Sequence, residues 1–158
     1  MPHNQEPFLQ EKQGIEKTIL IVEDDVSISS FLTLAITRET PYHPYVLKRG
    51  REAVNIAREI KPALIVLDHC PPRLDAIALY DQLYATNELK DVQTIIMGTY
   101  FDEEEVNEIK KRRIVLINKP FDLHDFLKMI AEKIHTAAVD DCQQASRSTK
   151  LSRERLLA

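Results

Sequence analysis

The sequence lacks the features that mark membrane, secreted and nucleic-acid-binding proteins. No apolar run approaches the roughly 20 residues of a membrane-spanning helix. The N-terminal residues show no basic start followed by an apolar segment, as a signal peptide would. The formal net charge is −4, so there is no basic excess for DNA or for an anionic membrane surface. We therefore expect a cytoplasmic protein that binds neither a membrane nor nucleic acid directly.

Cysteine is also scarce. The two cysteines, Cys70 and Cys142, lie far apart and form no CxxC pair, which argues against a disulfide framework and against a zinc site. We expect both to be free thiols. The chain has 158 residues, of which 44% are hydrophobic and 29% charged, and this is the size and composition of one ordinary globular domain.

Short apolar runs alternate with amphipathic segments along most of this chain. The runs predict strands at residues 18–22, 43–48, 63–67, 94–97 and 114–117. Helical spacing predicts helices at 26–39, 51–60 and 74–84, a fourth after Asp102 and a fifth after Asp122. The spacing of Asp102 and Glu105 predicts a capping box at the start of the fourth helix. Strands that alternate with helices through right-handed crossovers form a parallel sheet. The prediction is an α/β fold, a doubly wound sheet of five parallel strands with five helices.

The domain boundaries follow from where this pattern starts and fades. We expect one domain at 17–138, preceded by a flexible leader at 1–16. The tail at 139–158 is expected to be a short helix or disordered, with no readable role. About twenty residues cannot bury a core, so we expect no further domain in that tail.

The third predicted strand organises the rest. It is a continuous apolar run, Ala63 to Leu67, followed by Asp68. A run without polar alternation is typical of a central parallel strand covered on both faces. Ligands collect beyond the carboxyl ends of such strands, so Asp68 lies where open α/β sheets build their sites.

Charged residues end two further strands in the same way. They are Glu23, Asp24 and Asp25 after the first strand and Lys119 after the fifth, and Thr99 follows the fourth. If the sheet order is 2-1-3-4-5, these groups meet Asp68 in one crevice. Clustered carboxylates favour a hard divalent cation such as Mg²⁺. A carboxylate beside a metal, an ammonium and a hydroxyl is equipped to attack phosphorus, so the implied chemistry is phosphoryl transfer onto Asp68.

Four motifs in this pattern resemble the receiver domain of two-component response regulators. They are ILIVEDD (19–25), LIVLDHCPPRLD (64–75), IIMGT (95–99) and KPF (119–121). The resemblance spans roughly Lys17 to Ala138. It implies a flavodoxin-like, CheY-like fold and a phosphoprotein of a phosphorelay, which accepts phosphate from a histidine kinase or phosphotransfer protein and switches a downstream protein. It also implies that the fourth and fifth helices form the surface that binds partners. A homodimer through the same two helices is an alternative use of this surface.

The resemblance implies a role for each residue of the metal site. Asp24 is a direct Mg²⁺ ligand, Glu23 acts through water, and Asp68 and the backbone carbonyl of Cys70 complete the set. Asp25 stays an alternative to Asp24, because any of these acids could instead cap the next helix.

The remaining roles belong to the phosphoryl group. Asp68 accepts it, Lys119 pairs with it, and Thr99 reports it by forming a hydrogen bond. This chemistry is self-catalysed and turns over no separate substrate, so we do not expect an enzyme in the usual sense.

Several residues depart from the family pattern. Tyr100 stands where a small residue is usual, and we expect its ring to narrow access to the acceptor. Leu116 stands on the fifth strand where the family has an aromatic residue whose rotamer changes when the threonine moves. Cys70 and Phe101 are poorly suited to orient a water molecule, which predicts a long-lived phosphorylated state.

We consider three functions. The first is a single-domain response regulator. The alternative, which Tyr100 and Leu116 favour, is a pseudo-receiver that acts as a protein-interaction module without phosphorylation. The third is a hydrolase with an aspartyl-phosphate intermediate, which would need a second acid just after Asp68. His69 stands there instead, and strand alternation points it away from the site.

Overall fold

The computed structural model describes residues 16–156, with side chains described through residue 147. The predicted leader therefore lies outside the described residues, except for Glu16. The strands are β1 (Thr18–Val22), β2 (His43–Leu47), β3 (Leu64–His69), β4 (Gln93–Gly98) and β5 (Val115–Asn118). The helices are α1 (Val26–Glu39), α2 (Ala53–Ile60), α3 (Ala76–Ala85), α4 (Glu103–Lys111) and α5 (Leu123–Leu156), with a 3-10 turn at Gly50–Glu52 before α2.

The strands form one parallel sheet in the order β2-β1-β3-β4-β5, which confirms the predicted topology. The register aligns the carboxyl ends of the inner strands, since Val22 pairs with Leu67 and Leu67 with Ile96. Every residue of the central strand β3 is buried, as expected for a strand covered on both faces. The residues that follow these aligned ends are thereby brought to one edge of the sheet.

Strand alternation divides the apolar core into two layers. On one face, Ile19 and Val66 pack with residues of α1 and α5, among them Leu32 and Ile130. On the other face, residues of β1, β3 and β4 pack against α2, α3 and α4. Because successive side chains of a strand point to opposite faces, the side chains of Asp68 and His69 lie on opposite faces of the sheet.

Acidic side chains fix where three of the helices begin. Asp25 caps α1 by accepting a hydrogen bond from the backbone N–H of Ile28, and Asp75 caps α3 in the same manner. Asp102 and Glu105 form a capping box at the start of α4, as the sequence predicts. These caps place the loops that precede α1, α3 and α4 at the carboxyl edge of the sheet.

Most boundaries differ from the prediction by one or two residues, and the end of the fifth helix differs by far more. Strand β3 includes Asp68 and His69, because its pairing with β4 continues through His69 and Gly98. The fifth helix does not end near Ala138 but continues to Leu156. The apolar pattern fades there because the helix leaves the sheet and its residues from Ala138 to Arg147 are exposed, while no glycine or proline interrupts it.

Two expectations from composition can also be compared with the structure. Cys70 and Cys142 are both free thiols, as predicted. Over the described part of the chain, no helix is both long enough and apolar enough to span a membrane.

Candidate phosphoacceptor and metal site

The first strand delivers two acids to the carboxyl edge of the sheet. The backbone N–H of Glu23 donates to the carbonyl of Leu47 at 2.9 Å, which extends the pairing of β1 and β2 by one residue. The Glu23 carboxylate is buried and accepts a hydrogen bond from the backbone N–H of Asp25 at 3.0 Å. Asp25 itself caps α1. The cap occupies Asp25, so the geometry favours Asp24 over Asp25 as the second acid of the site.

Asp68 and Lys119 meet at the centre of this edge. The backbone N–H of Lys119 donates to the Gly98 carbonyl at 2.8 Å, which holds the residue directly after β5 beside β4. Its ammonium Nζ lies 2.5 Å from Asp68 Oδ1 and 3.2 Å from Glu23 Oε2. A single lysine therefore bridges the carboxylates that β1 and β3 contribute.

Glu23, Asp24 and Asp68 form what we call the acid cluster. One carboxylate oxygen from each of the three lies within 4.8 Å of the others. Three carboxylates against one ammonium leave an excess of negative charge, and an all-oxygen donor set is the kind that Mg²⁺ prefers. The carbonyl of Cys70 accepts a hydrogen bond from the N–H of Leu74 and keeps a second lone pair. The donor set thus fits a magnesium ion.

Burial and charge act against each other in this cluster. Burial raises the pKa of Glu23 above its usual value, and the charge of Asp68 adds to the rise, while the N–H of Asp25 and the Lys119 ammonium oppose it. Burial alone would lower the pKa of Lys119, but its hydrogen bond to Asp68 and the charges of Asp68 and Glu23 outweigh burial, so the pKa is raised. Lys119 is therefore held as a cation between the acids.

A second cation reaches the cluster from the loop after β3. Arg73 Nη1 lies 2.9 Å from Asp24 Oδ2, and its Nη2 lies 2.8 Å from the Cys70 sulfur. The Arg73 side chain is 63% exposed, so it can leave Asp24 without disturbing the core. Sequence reasoning missed this contact. The only signal was the position of a basic residue in the Pro-rich loop that follows the acceptor.

The residues after β4 and on β5 lie around the site in different ways. Thr99 is exposed directly after β4. Tyr100 is 76% exposed, so its ring packs on little of the protein, and its effect on access stays a prediction. Phe101 and Leu116 are partly buried and pack against the core layer that contains α3 and α4.

His69 points away from the acid cluster, as strand alternation predicts. It is buried on the opposite face, where its Nε2 lies 2.9 Å from Glu105 Oε1 and its ring stacks on Phe101 at a centroid distance of 5.1 Å. Neither of these contacts involves Asp68 or a metal position. No acid follows Asp68 on its own loop before Asp75, which caps α3, so the hydrolase hypothesis lacks its second catalytic carboxylate.

Comparison with known proteins identifies a family that this chain matches. The family model described as the response regulator receiver domain matches residues 19–131. Sporulation initiation phosphotransferase F of Bacillus subtilis is 27% identical over 112 residues, which is 70% of this chain and 88% of that protein. The alkaline phosphatase synthesis transcriptional regulatory protein PhoP of the same organism is 38% identical over 90 residues, which is 57% of this chain and 36% of PhoP. The match therefore spans about a third of PhoP.

Solved structures match over the same region. The signal receiver domain of a histidine kinase from Syntrophus aciditrophicus is 26% identical, with a TM-score of 0.68 over 76% of this chain and 91% of that one. The receiver domain of a putative LuxO repressor protein from Vibrio parahaemolyticus superposes with a TM-score of 0.72 at 21% identity, over 81% of this chain and 97% of that one. At that identity the second match supports the fold alone.

Proposed function

Because the chain belongs to the response regulator receiver family, we propose that Asp68 accepts a phosphoryl group from a histidine kinase or phosphotransfer protein and that this modification switches a downstream protein. The observation that carries the proposal is the meeting of the acid cluster with Lys119 at the carboxyl edge of the sheet. Helix capping does not account for three clustered acids with a lysine against two of them, because Asp25 already caps α1.

The reaction follows from the positions of these groups. A carboxylate oxygen of Asp68 attacks the phosphorus of a phosphohistidine and forms a P–O bond. The P–N bond breaks, and the leaving imidazole nitrogen takes up a proton. Lys119 already lies against Asp68, so its ammonium can pair with a phosphoryl oxygen as negative charge moves onto Asp68. Thr99 is exposed directly after β4, and its hydroxyl is available to donate a hydrogen bond to a second phosphoryl oxygen.

Glu23, Asp24, Asp68 and the Cys70 carbonyl would hold Mg²⁺ at this site. A bound ion would supply positive charge to offset that of the phosphoryl oxygens and of the acid cluster. Asp24 must exchange the Arg73 guanidinium for the ion, which its exposed position permits.

The partners are proposed on the same grounds. A phosphotransfer protein or histidine kinase supplies the phosphoryl group, as the name of the sporulation phosphotransferase relative suggests for that protein. The downstream target is a protein recruited by this single domain, with α4 and α5 as the partner surface and as the surface for a homodimer. We place this signalling in the cytoplasm.

Intact mass after incubation with Mg²⁺ and acetyl phosphate tests the proposal. We expect a mass increase equal to one phosphoryl group in the unaltered protein and none in Asp68→Asn. Asp75→Asn is the matched control, since it removes a nearby carboxylate and keeps an N-cap for α3. Incorporation that persists in Asp68→Asn, or that is lost in both variants alike, would contradict the assignment.

The pseudo-receiver alternative gives the opposite result. A chain of that kind gains no mass with acetyl phosphate, and Asp68→Asn leaves partner binding unchanged. Tyr100 and Leu116 were its support in the sequence, and their placement adds nothing that excludes phosphorylation, because Tyr100 is largely exposed and Leu116 packs in the core.

We also propose that the phosphorylated state is long-lived, since Cys70 and Phe101 offer little to orient an attacking water. Phe101 stacks on His69, and the Cys70 sulfur accepts a hydrogen bond from Arg73. Decay of the added mass after removal of acetyl phosphate measures the lifetime. Loss within seconds would count against the proposal.

A further inference from the structure

His69 makes three contacts that link separate parts of the carboxyl edge. Its Nδ1 accepts a hydrogen bond at 3.2 Å from the backbone N–H of Ala76, in the first turn of α3. Its Nε2 lies 2.9 Å from Glu105 Oε1 on α4, and its ring stacks on Phe101 with an angle of 10° between the planes. The side chain is only 1% exposed. The imidazole is therefore shielded from water, while its partner Glu105 is 26% exposed.

The hydrogen bonds fix the direction in which the imidazole donates. Because Nδ1 accepts from the Ala76 N–H, the proton of a neutral ring lies on Nε2, which then donates to Glu105. The other oxygen of Glu105 accepts from the backbone N–H of Asp102 at 2.9 Å and so completes the capping box. The first turn of α4 is thereby bonded to the strand that carries Asp68.

The short loop between β4 and α4 is held by the same group. This loop contains Thr99, and its Phe101 ring lies over Gly98. A Cβ built at Gly98 would approach the Phe101 ring to 2.7 Å and the His69 carbonyl oxygen to 3.1 Å, so only glycine allows this close packing. The loop is consequently anchored at His69 on one side of Thr99 and by β4 on the other.

From these contacts we propose that His69 is a positioning residue, which couples the phosphorylation state of Asp68 to the loop carrying Thr99 and to the first turn of α4. The inference rests on the proposed function, because it concerns how the acceptor site reaches α4. Asp68 and His69 are consecutive residues of β3, so a displacement of the strand end at Asp68 also displaces the imidazole. The imidazole transmits it to Glu105 and Phe101. His69 does not touch the reacting atoms.

Hydrogen exchange of the backbone amides of residues 103–106 is the measurement, with and without fluoroberyllate and Mg²⁺. Fluoroberyllate binds a carboxylate as a phosphoryl group does and is used here as the probe. The variants separate the two hydrogen bonds of His69. In His69→Asn the amide oxygen can replace Nδ1 and accept from Ala76, whereas in His69→Gln the longer amide can replace Nε2 and donate to Glu105.

We expect fluoroberyllate to change the exchange of residues 103–106 in the unaltered protein. His69→Gln should keep most of this change and His69→Asn should lose most of it, at equal fluoroberyllate affinity. Without the probe, these amides should exchange roughly threefold or more faster in His69→Asn, because the support of the α4 cap is lost. A role in stability alone would affect both variants and would not depend on which hydrogen bond is retained.

Glu105→Ala provides the same test from α4 if the His69 variants do not fold, and Glu104→Ala is its matched control. Both remove one carboxylate from the same helical turn, but Glu104 is exposed. Glu105→Ala should uncouple α4 from the probe, and Glu104→Ala should not. An unchanged α4 response in both His69→Asn and Glu105→Ala would overturn the positioning role. An unaltered protein that binds no fluoroberyllate would instead overturn the proposed function, before any variant is compared.

Discussion

Two charge clusters in this molecule have similar members and similar bond lengths but differ in burial. Inside the protein, Lys119 contacts two members of the acid cluster, Asp68 at 2.5 Å and Glu23 at 3.2 Å. The side chains of these two acids are 6% and 1% exposed. On the surface, Arg112 contacts Asp81 at 2.8 Å and Glu108 at 2.7 Å, and these carboxylates are 51% and 35% exposed. We call the second set the surface charge cluster.

The pKa values of Glu23 and Glu108 shift in opposite directions. Hydrogen bonds to Lys111 and Arg112 lower the pKa of Glu108 to about 2, because water still solvates the carboxylate. Burial raises the pKa of Glu23 in spite of its contact with Lys119. The same kind of ion pair favours the charged acid in both places, but inside the protein burial outweighs it. Burial, and not the type of ion pair, therefore sets the direction of the shift for these two acids.

Removing the lysine should have the largest effect. Lys119→Met leaves the buried carboxylates of Asp68 and Glu23 without their cation, and we expect it to lower the free energy of unfolding by about 3 kcal/mol in EDTA. Arg112→Met, the matched change in the surface charge cluster, should cost less than about 1 kcal/mol. Urea unfolding of both variants measures this difference. Equal losses would show that burial does not separate the clusters.

Magnesium should stabilise the acid cluster and leave the surface charge cluster unaffected. At about 100 times its dissociation constant, Mg²⁺ should add about 2.7 kcal/mol to the free energy of unfolding. Asp24→Asn should weaken Mg²⁺ binding by roughly tenfold or more, since it removes a ligand charge. Asp25→Asn removes the same charge one residue away and keeps the α1 cap. Calorimetric titration compares the two, and equal weakening would contradict the choice of Asp24.

The pH dependence of stability distinguishes the clusters by sign. The raised pKa of Glu23 means that the folded state binds its proton more tightly than the unfolded state. In EDTA, this contribution is therefore lost as pH rises from the ordinary pKa of 4.5 through the raised value. Glu108 acts oppositely, since its contribution is present above 4.5 and is lost as pH falls toward about 2.

Glu23→Gln should remove the fall in stability that Glu23 causes. Relative to the unaltered protein, this variant should gain stability as pH rises from 4.5 through the raised pKa of Glu23, by less than the Lys119 effect. The exposed Glu39→Gln is the control and should run parallel to the unaltered protein. Unfolding by urea at several pH values measures the trend. A Glu23→Gln curve parallel to that of the control would be inconsistent with a raised pKa.

The smallest effect is expected at Arg73. Its guanidinium and a bound Mg²⁺ both require Asp24, so Arg73→Ala should tighten Mg²⁺ binding by roughly two- to threefold, the range of a weak exposed ion pair. Arg73→Lys should lie between the two because it keeps the charge. Raising the ionic strength should reduce the difference. Weaker Mg²⁺ binding in Arg73→Ala would indicate that Arg73 assists the ion rather than competing with it.

Much of the fold could be predicted because each strand is a short apolar run with a polar stop. The central run ends at Asp68 and the first ends at Glu23, so the residues at the carboxyl edge of the sheet can be identified from the sequence. The α4 capping box was readable from Asp102 and Glu105 for the same local reason. The site followed from these elements, because parallel strands bring their carboxyl ends together.

Contacts between distant side chains could not be predicted in this way. The bond between His69 and Glu105 joins residues 36 positions apart, and neither residue type signals the other. The contact of Arg73 with Asp24 depends on the path of the loop after β3. The length of α5 was missed because an exposed helix needs no apolar stripe, which is the periodic signal that sequence reasoning relies on.

The continuous fifth helix has a mechanical consequence. Its 34 residues form a helix about 50 Å long. Near its start, Phe126, Ile130 and Ile134 pack against the sheet. The part of the helix after Ile134 is a lever arm, so a tilt of a few degrees where the helix packs on the sheet becomes a displacement of several ångströms at Leu156. A distance probe attached near the far end would therefore be a sensitive gauge of small rearrangements in the domain.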